Sequence, residues 1–252
     1  MGLLGEARDG LKFAYAGLLV AFFVCGFSAV VSSEAAAQGA KEDRFTYFYK
    51  NPDLDGLPDT LRFFDASGWV EPNDFKSRPP VIGFLTALFE RHPERVAEWI
   101  SHPYSDNLKD LIDVCLRLAK ERNGPSEDDH GLTSLPITVG VDLDVLWGVS
   151  FATGDSRYAD KIIDFVSKSL ESGKFGTEDI AFFASRDKRN TKREAERERI
   201  LSRYDQKNIP DLVLNSSAVW SLGSNAVQHE FVMEAVKDRI AMAPHSDLTY
   251  LL

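Results

Sequence analysis

Residues 141–166 read VDLDVLWGVSFATGDSRYADKIIDFV. From Val141 to Ala152 the run is apolar almost all round, whereas Tyr158, Ile162, Phe165 and Val166 recur at three- and four-residue intervals among charged neighbours. The second pattern places its apolar side chains on one helical face, and the first suits a helix covered on every side. Thr153 and Gly154 end the first helix, and Asp155 or Ser156 caps the next. The segment therefore predicts a helical hairpin with a central member and a covering member.

Two further stretches repeat this form. In PPVIGFLTALFERHPERVAEWI, residues 79–100, Pro93 suits the first turn of a second helix whose buried face would carry Val96, Trp99 and Ile100. In DLVLNSSAVWSLGSNAVQHEFVMEAVKDRI, residues 211–240, which follows the break at Pro210, the small residues Ser216, Ser217, Ser221, Gly223, Ser224 and Ala226 let the first helix approach its neighbours closely. The hairpin starts lie about 62 and 70 residues apart, unlike the roughly 34–47 of common helical repeats.

Between the hairpins, Leu108, Leu111, Ile112, Cys115, Leu116 and Ala119 form one stripe of a helix from about Asp106 to Asn123, capped by Ser105 or Asp106. Cys115 on that stripe reads as a small buried hydrophobe. Alternating runs bounded by hairpin dipeptides are missing. The predicted fold is all-α: helical hairpins packed as one repeat-like (solenoid-like) or irregular domain over residues 57–252. A lead-in segment, residues 38–56, precedes it.

The first residues point to export. Phe13 to Val31 is nineteen residues without a formal charge, and Ala35 and Ala37 supply the small residues that a signal peptidase accepts before a cut at Gln38. Residues 1–37 thus read as a signal peptide. Their alternative is an uncleaved inner-membrane anchor over residues 13–31, because the run exceeds the usual apolar region of about 7–15 residues. The expected location is the periplasm or the exterior after cleavage, or the inner membrane with the body in the periplasm if the anchor stays. After cleavage Cys115 is the sole cysteine, so no intramolecular disulfide forms and the fold rests on packing.

The chain holds 39 Asp and Glu against 29 Lys and Arg, a formal charge of -10. Such a body repels polyanions and disfavours nucleic acid as a partner. Against that background residues 185–208 carry nine basic and five acidic side chains. Lys192 with Glu196, Glu194 with Arg197 and Glu196 with Arg199 are spaced to pair along a helix. The two readings are a solvated connector and a basic arm, with Lys188, Arg189, Lys192, Arg193 and Arg197 facing an acidic partner or lipid headgroups.

Motifs for covalent chemistry are weak. The histidines are scattered, and none stands at i, i+4 with the glutamate of a zinc-protease helix. Ser150 in GVSFATG lacks the glycine spacing and the strand of a nucleophile elbow, and GKFG at Gly173–Gly176 lacks phosphate-loop spacing. Asp142 and Asp144 read as caps of the helix that follows. No metal or cofactor is expected. Asn225 and His229, one helical turn apart, would share a face and bond to each other. With Trp147 and Trp220 they make the candidate ligand or partner face.

The phrases DVLWGVSFATGDSRYADKIIDFV and SAVWSLGSNAVQHEFV, with TYFYKNPD and PPVIGFLTALFERHPERV, resemble a group of uncharacterised exported α-helical proteins of Gram-negative bacteria. The resemblance covers most of the chain after Ala37 and implies export and a helical fold. It carries no assigned activity and no functional residue. The expected role is a non-catalytic module that binds another envelope protein or an envelope component. The rivals are a hydrolase-like enzyme whose site assembles only in three dimensions and a membrane-anchored scaffold.

Overall fold

A computed structural model describes residues 44–122, 135–185, 192–244 and 246–252. These all belong to one compact unit, Gln38–Leu252. Among the described residues there are helices and no strands, so the fold is all-α. The hydrophobic N-terminal run and the cleavage residues Ala35, Ala37 and Gln38 lie outside the described residues. No described helix is long and apolar enough to cross a membrane.

The helices are α1 (Leu57–Ala66), α2 (Arg78–Arg91), α3 (Val96–Trp99), α4 (Asp106–Arg122), α5 (Gly140–Thr153), α6 (Arg157–Glu171), α7 (Thr177–Ala184), α8 (Lys192–Leu201), α9 (Ile209–Ala226), α10 (Glu230–Met242) and α11 (Asp247–Leu251). Single 3₁₀ turns occupy Phe48–Lys50 and Gln206–Asn208. The all-round apolar segments become α2, α5 and α9, as their patterns predict. They differ in what surrounds them. Helix α2 packs chiefly on α5 and α4, while α9 is covered by α7, α6 and α10.

The α2–α5 crossing is set by two glycines. A Cβ on Gly83 would sit 1.9 Å from the Val145 carbonyl oxygen, and one on Gly148 would sit 1.9 Å from that of Pro80. Each glycine therefore receives the backbone of the other helix, and only hydrogen at both positions permits that approach. Helix α4 lies on the other side of α2, where Leu108, Leu111, Ile112, Cys115 and Ala119 are buried. Ser105 caps it by accepting the Leu108 N–H at 3.2 Å. Burial pushes the Cys115 thiol up to about 12, the state of an unreactive core side chain.

At the second hairpin Gly154 takes φ +64 and accommodates the ring of Tyr49, which a Cβ there would meet at 2.7 Å. Asp155 accepts the Arg157 N–H at 3.0 Å and starts α6. In the first hairpin the second helix is only one turn, so Trp99 is buried, donating its indole N–H to Leu54 O at 3.0 Å, whereas Ile100 is exposed, contrary to expectation.

The segment before Leu57 is built into the core. Phe45 and Phe48 are buried against Phe84, with ring centroids 5.0 and 5.1 Å away, and Phe45 also touches Phe64, Trp69 and Phe151. Aromatic side chains anchor this short segment where periodicity gives no sign of it.

Candidate functional site

Helices α7, α9 and α11 leave an open groove of about 400 Å³ between them. Its walls include Ala181 and Ala184 from α7, Trp220, Gly223 and Ser224 from α9, and Tyr250 from α11. Gly223 makes no close helix contact: a Cβ there would meet nothing within 4 Å. It is an exposed part of the groove lining instead. Tyr250 is 70% exposed and lies at the rim, so among the described residues the groove presents two rings, small residues and no formally charged side chain.

His229 sits elsewhere. Helix α9 ends at Ala226, and His229 is the extended residue before α10, with φ -125 and ψ 116. Its side chain consequently leaves the Asn225 face. The amide of Asn225 donates to Ser221 O at 2.9 Å, and the two residues are joined only through the backbone, His229 N–H to Asn225 O at 2.8 Å. The expected side-chain pair is not formed.

The imidazole is wholly buried in a box of four rings, with centroids of Tyr47, Phe151, Phe231 and Tyr49 at 5.0, 5.2, 5.7 and 5.8 Å. Nδ1 lies 3.3 Å from the Tyr49 hydroxyl, and Nε2 has no hydrogen-bond partner. Burial, and then the nearby Lys50 ammonium, bring its pKa down to about 4. The neutral ring shares one hydrogen bond with the Tyr49 hydroxyl at Nδ1 and has its other nitrogen enclosed by aromatic rings.

No family model, curated protein or solved structure matches the chain. The site therefore rests on its own geometry. Trp147 is buried with its indole nitrogen unpartnered and stacks on Phe151, so neither it nor His229 presents a surface beside Trp220. Of the candidate face, Trp220 alone reaches the groove. Ser150 is buried and donates to Leu146 O at 3.0 Å inside α5, a structural role. The described residues hold no group of three or more His, Cys, Asp or Glu placed to bind a metal ion.

The basic stretch is occupied internally where it is described. Arg193 closes the end of α7, donating to Phe182 O at 2.7 Å, Ser185 O and Ser185 Oγ, with its guanidinium over the Phe182 ring. Carbonyls at a helix end are natural partners for such a cation. Arg197 pairs with Glu194 at 2.9 Å and Arg199 with Glu196, as their spacing predicts. Lys188 and Arg189 lie outside the described residues, as does the Lys192 side chain.

Sequence reasoning missed a buried carboxylate. Asp179, 4% exposed in the first turn of α7, receives Arg203 and the Tyr204 hydroxyl, the latter at 2.5 Å. Tyr204 in turn accepts the Gly176 N–H at 3.1 Å, which ties the segment after α8 to the start of α7 and so fixes one wall of the groove. An acidic residue in a first turn was the available signal, but its partners lie 24 and 25 residues away.

Asp142 caps α5 backwards, accepting the N–H groups of Thr138 and Val139 at 2.7 and 3.0 Å. Asp144 does not cap; it is half-buried in the second turn, and burial pushes its carboxyl up to about 7. Because that value lies above the ordinary 3.8, the folded chain keeps a proton that the unfolded chain loses between those limits. Its stability contribution falls as pH rises through that window. Asp144→Asn is expected to raise stability at pH 8 by about 2 kcal/mol, after allowance for partial exposure. At pH 4 it should change little, and urea unfolding at the two pH values reads the difference.

Proposed function

We propose that the protein is an exported, non-catalytic binding module whose groove between α7, α9 and α11 takes up an apolar side chain from another protein of the cell envelope. The observation that carries this reading is the groove itself: an aromatic and small-residue lining, an exposed Tyr250 at the rim and no charged side chain among its described lining residues. A pocket of this kind suits a buried apolar anchor surrounded by polar contacts. The signal-like first 37 residues and the resemblance to exported helical proteins support the periplasm as its place of action. The net charge of -10 supports a partner that is not nucleic acid.

A photo-crosslinking residue at Ser224, in cells exporting the protein, tests the reading. The expected result is a protein adduct of defined mass at Ser224 and none at Lys109, which is exposed on α4. Absence of an adduct at Ser224, or equal adducts at both positions, would contradict it.

A further inference from the structure

We propose that residues 44–51 form an acid-released strap, held on the body by neutral His229 and freed when that ring is protonated. The strap contributes Phe45 and Phe48 to the core and Tyr47 and Tyr49 to the histidine box, closed by Lys50 N–H to Tyr47 O at 3.0 Å and Asn51 N–H to Phe48 O at 3.1 Å. His229 ties it to the start of α10 through the Tyr49 hydroxyl.

The charges around the ring favour release on protonation. From the strap, Lys50 faces the imidazole and also lies 4.8 Å from the Tyr47 ring centroid, so a second cation would be repelled. From α10, Glu230, the next residue in the chain, acts on Tyr49. Helix α5 contributes Phe151, and the end of α9 contributes the backbone of Asn225. The two influences on the ring itself, burial and then Lys50, both oppose its charge. Protonation makes both ring nitrogens donors, and the buried Nε2, which has no hydrogen-bond partner, then belongs to a charged ring.

The linkage sign follows from burial. The ring holds its proton less readily in place, at about 4, than at the ordinary 6.5. Below 6.5 the released form therefore binds a proton that the strapped form excludes, and strapping weakens as pH falls. Between pH 7 and 4.5 the opening equilibrium should rise on the order of 100-fold. Bulk melting would conceal this, because Asp144 shifts stability in the opposite direction over nearly the same range.

Hydrogen exchange, corrected for the intrinsic pH dependence of amide chemistry, tests the strap on the full chain. Protection of the Lys50 and Asn51 amides is expected to fall on the order of 100-fold from pH 7 to pH 4.5, while α2 and α5 amides keep theirs. In His229→Phe, which retains an aromatic ring, the strap's pH dependence should vanish. Should that variant fail to fold, the His229 Cε1 proton in the native chain decides by NMR: titration near 4 supports the strap and titration near 6.5 overturns it. Equal strap protection at both pH values, or simultaneous loss in the strap and in α2 and α5, would also overturn it.

Discussion

Gly83→Ala and Gly148→Ala should each destabilise the domain by about 3 kcal/mol or more. The added methyl group meets a carbonyl oxygen at 1.9 Å in either case, and that oxygen belongs to a helix backbone, which has no rotamer in which to retreat. Relief requires α2 and α5 to separate, which would loosen the packing of Phe84, Leu85, Leu146 and Val149, all buried. The gain in intrinsic helix propensity, about 1 kcal/mol for Gly to Ala, works in the opposite direction and is too small to compensate. For a domain of this size the loss corresponds to a fall in Tm of about 6–12 °C. Gly223→Ala is the internal control. It has the same helix propensity change with open space around the new Cβ, and it should leave stability equal or slightly raised. Thermal unfolding of the three variants checks the contrast.

Phe45→Ala should cost about 3–5 kcal/mol. Phe45 lies between Phe64, Phe84, Phe151 and Trp69, with centroid distances from 5.0 to 5.8 Å, so truncation leaves a cavity bounded by rings on three different helices and the Trp69 turn. Those rings are fixed by the crossing beneath them, and little collapse can fill the void. Urea unfolding provides the measurement. A cost below about 1 kcal/mol would mean that the segment before Leu57 rests on the body without completing its core.

The helix stripes were legible because each depends on spacing within one segment. Leu108 to Ala119 on α4 and Tyr158 to Val166 on α6 have the period that burial requires, and Gly154 ends α5 in the left-handed conformation that glycine favours. What spacing does not carry is contact between segments. Gly83 and Gly148 each look like a weak point in an apolar helix, and only their meeting with the opposite backbone makes them necessary. Phe45 and Phe48 occupy a segment too short to show a period.

The site was less legible for the same reason. The i, i+4 argument for Asn225 and His229 presumes a continuous helix, but α9 ends at Ala226 and the histidine turns into the box formed by the strap. Trp147 and Trp220 hold matching places in their hairpins, yet α5 is enclosed and stacks its tryptophan on Phe151, while α9 leaves Trp220 in the groove lining with Gly223. Charge counting marked residues 185–208 as a basic stretch, to be read as a solvated connector or as a basic arm. It could not show that Arg193 folds back onto carbonyls at the end of α7 or that Arg203 meets Asp179.

The groove reading is tested most directly by Gly223→Trp combined with the crosslinker at Ser224. The new side chain starts from a Cβ with nothing within 4 Å and belongs to the groove lining, so the Ser224 adduct should disappear from a chain that thermal unfolding shows to be folded. An undiminished adduct in a stably folded Gly223→Trp chain would show that the partner does not enter the groove.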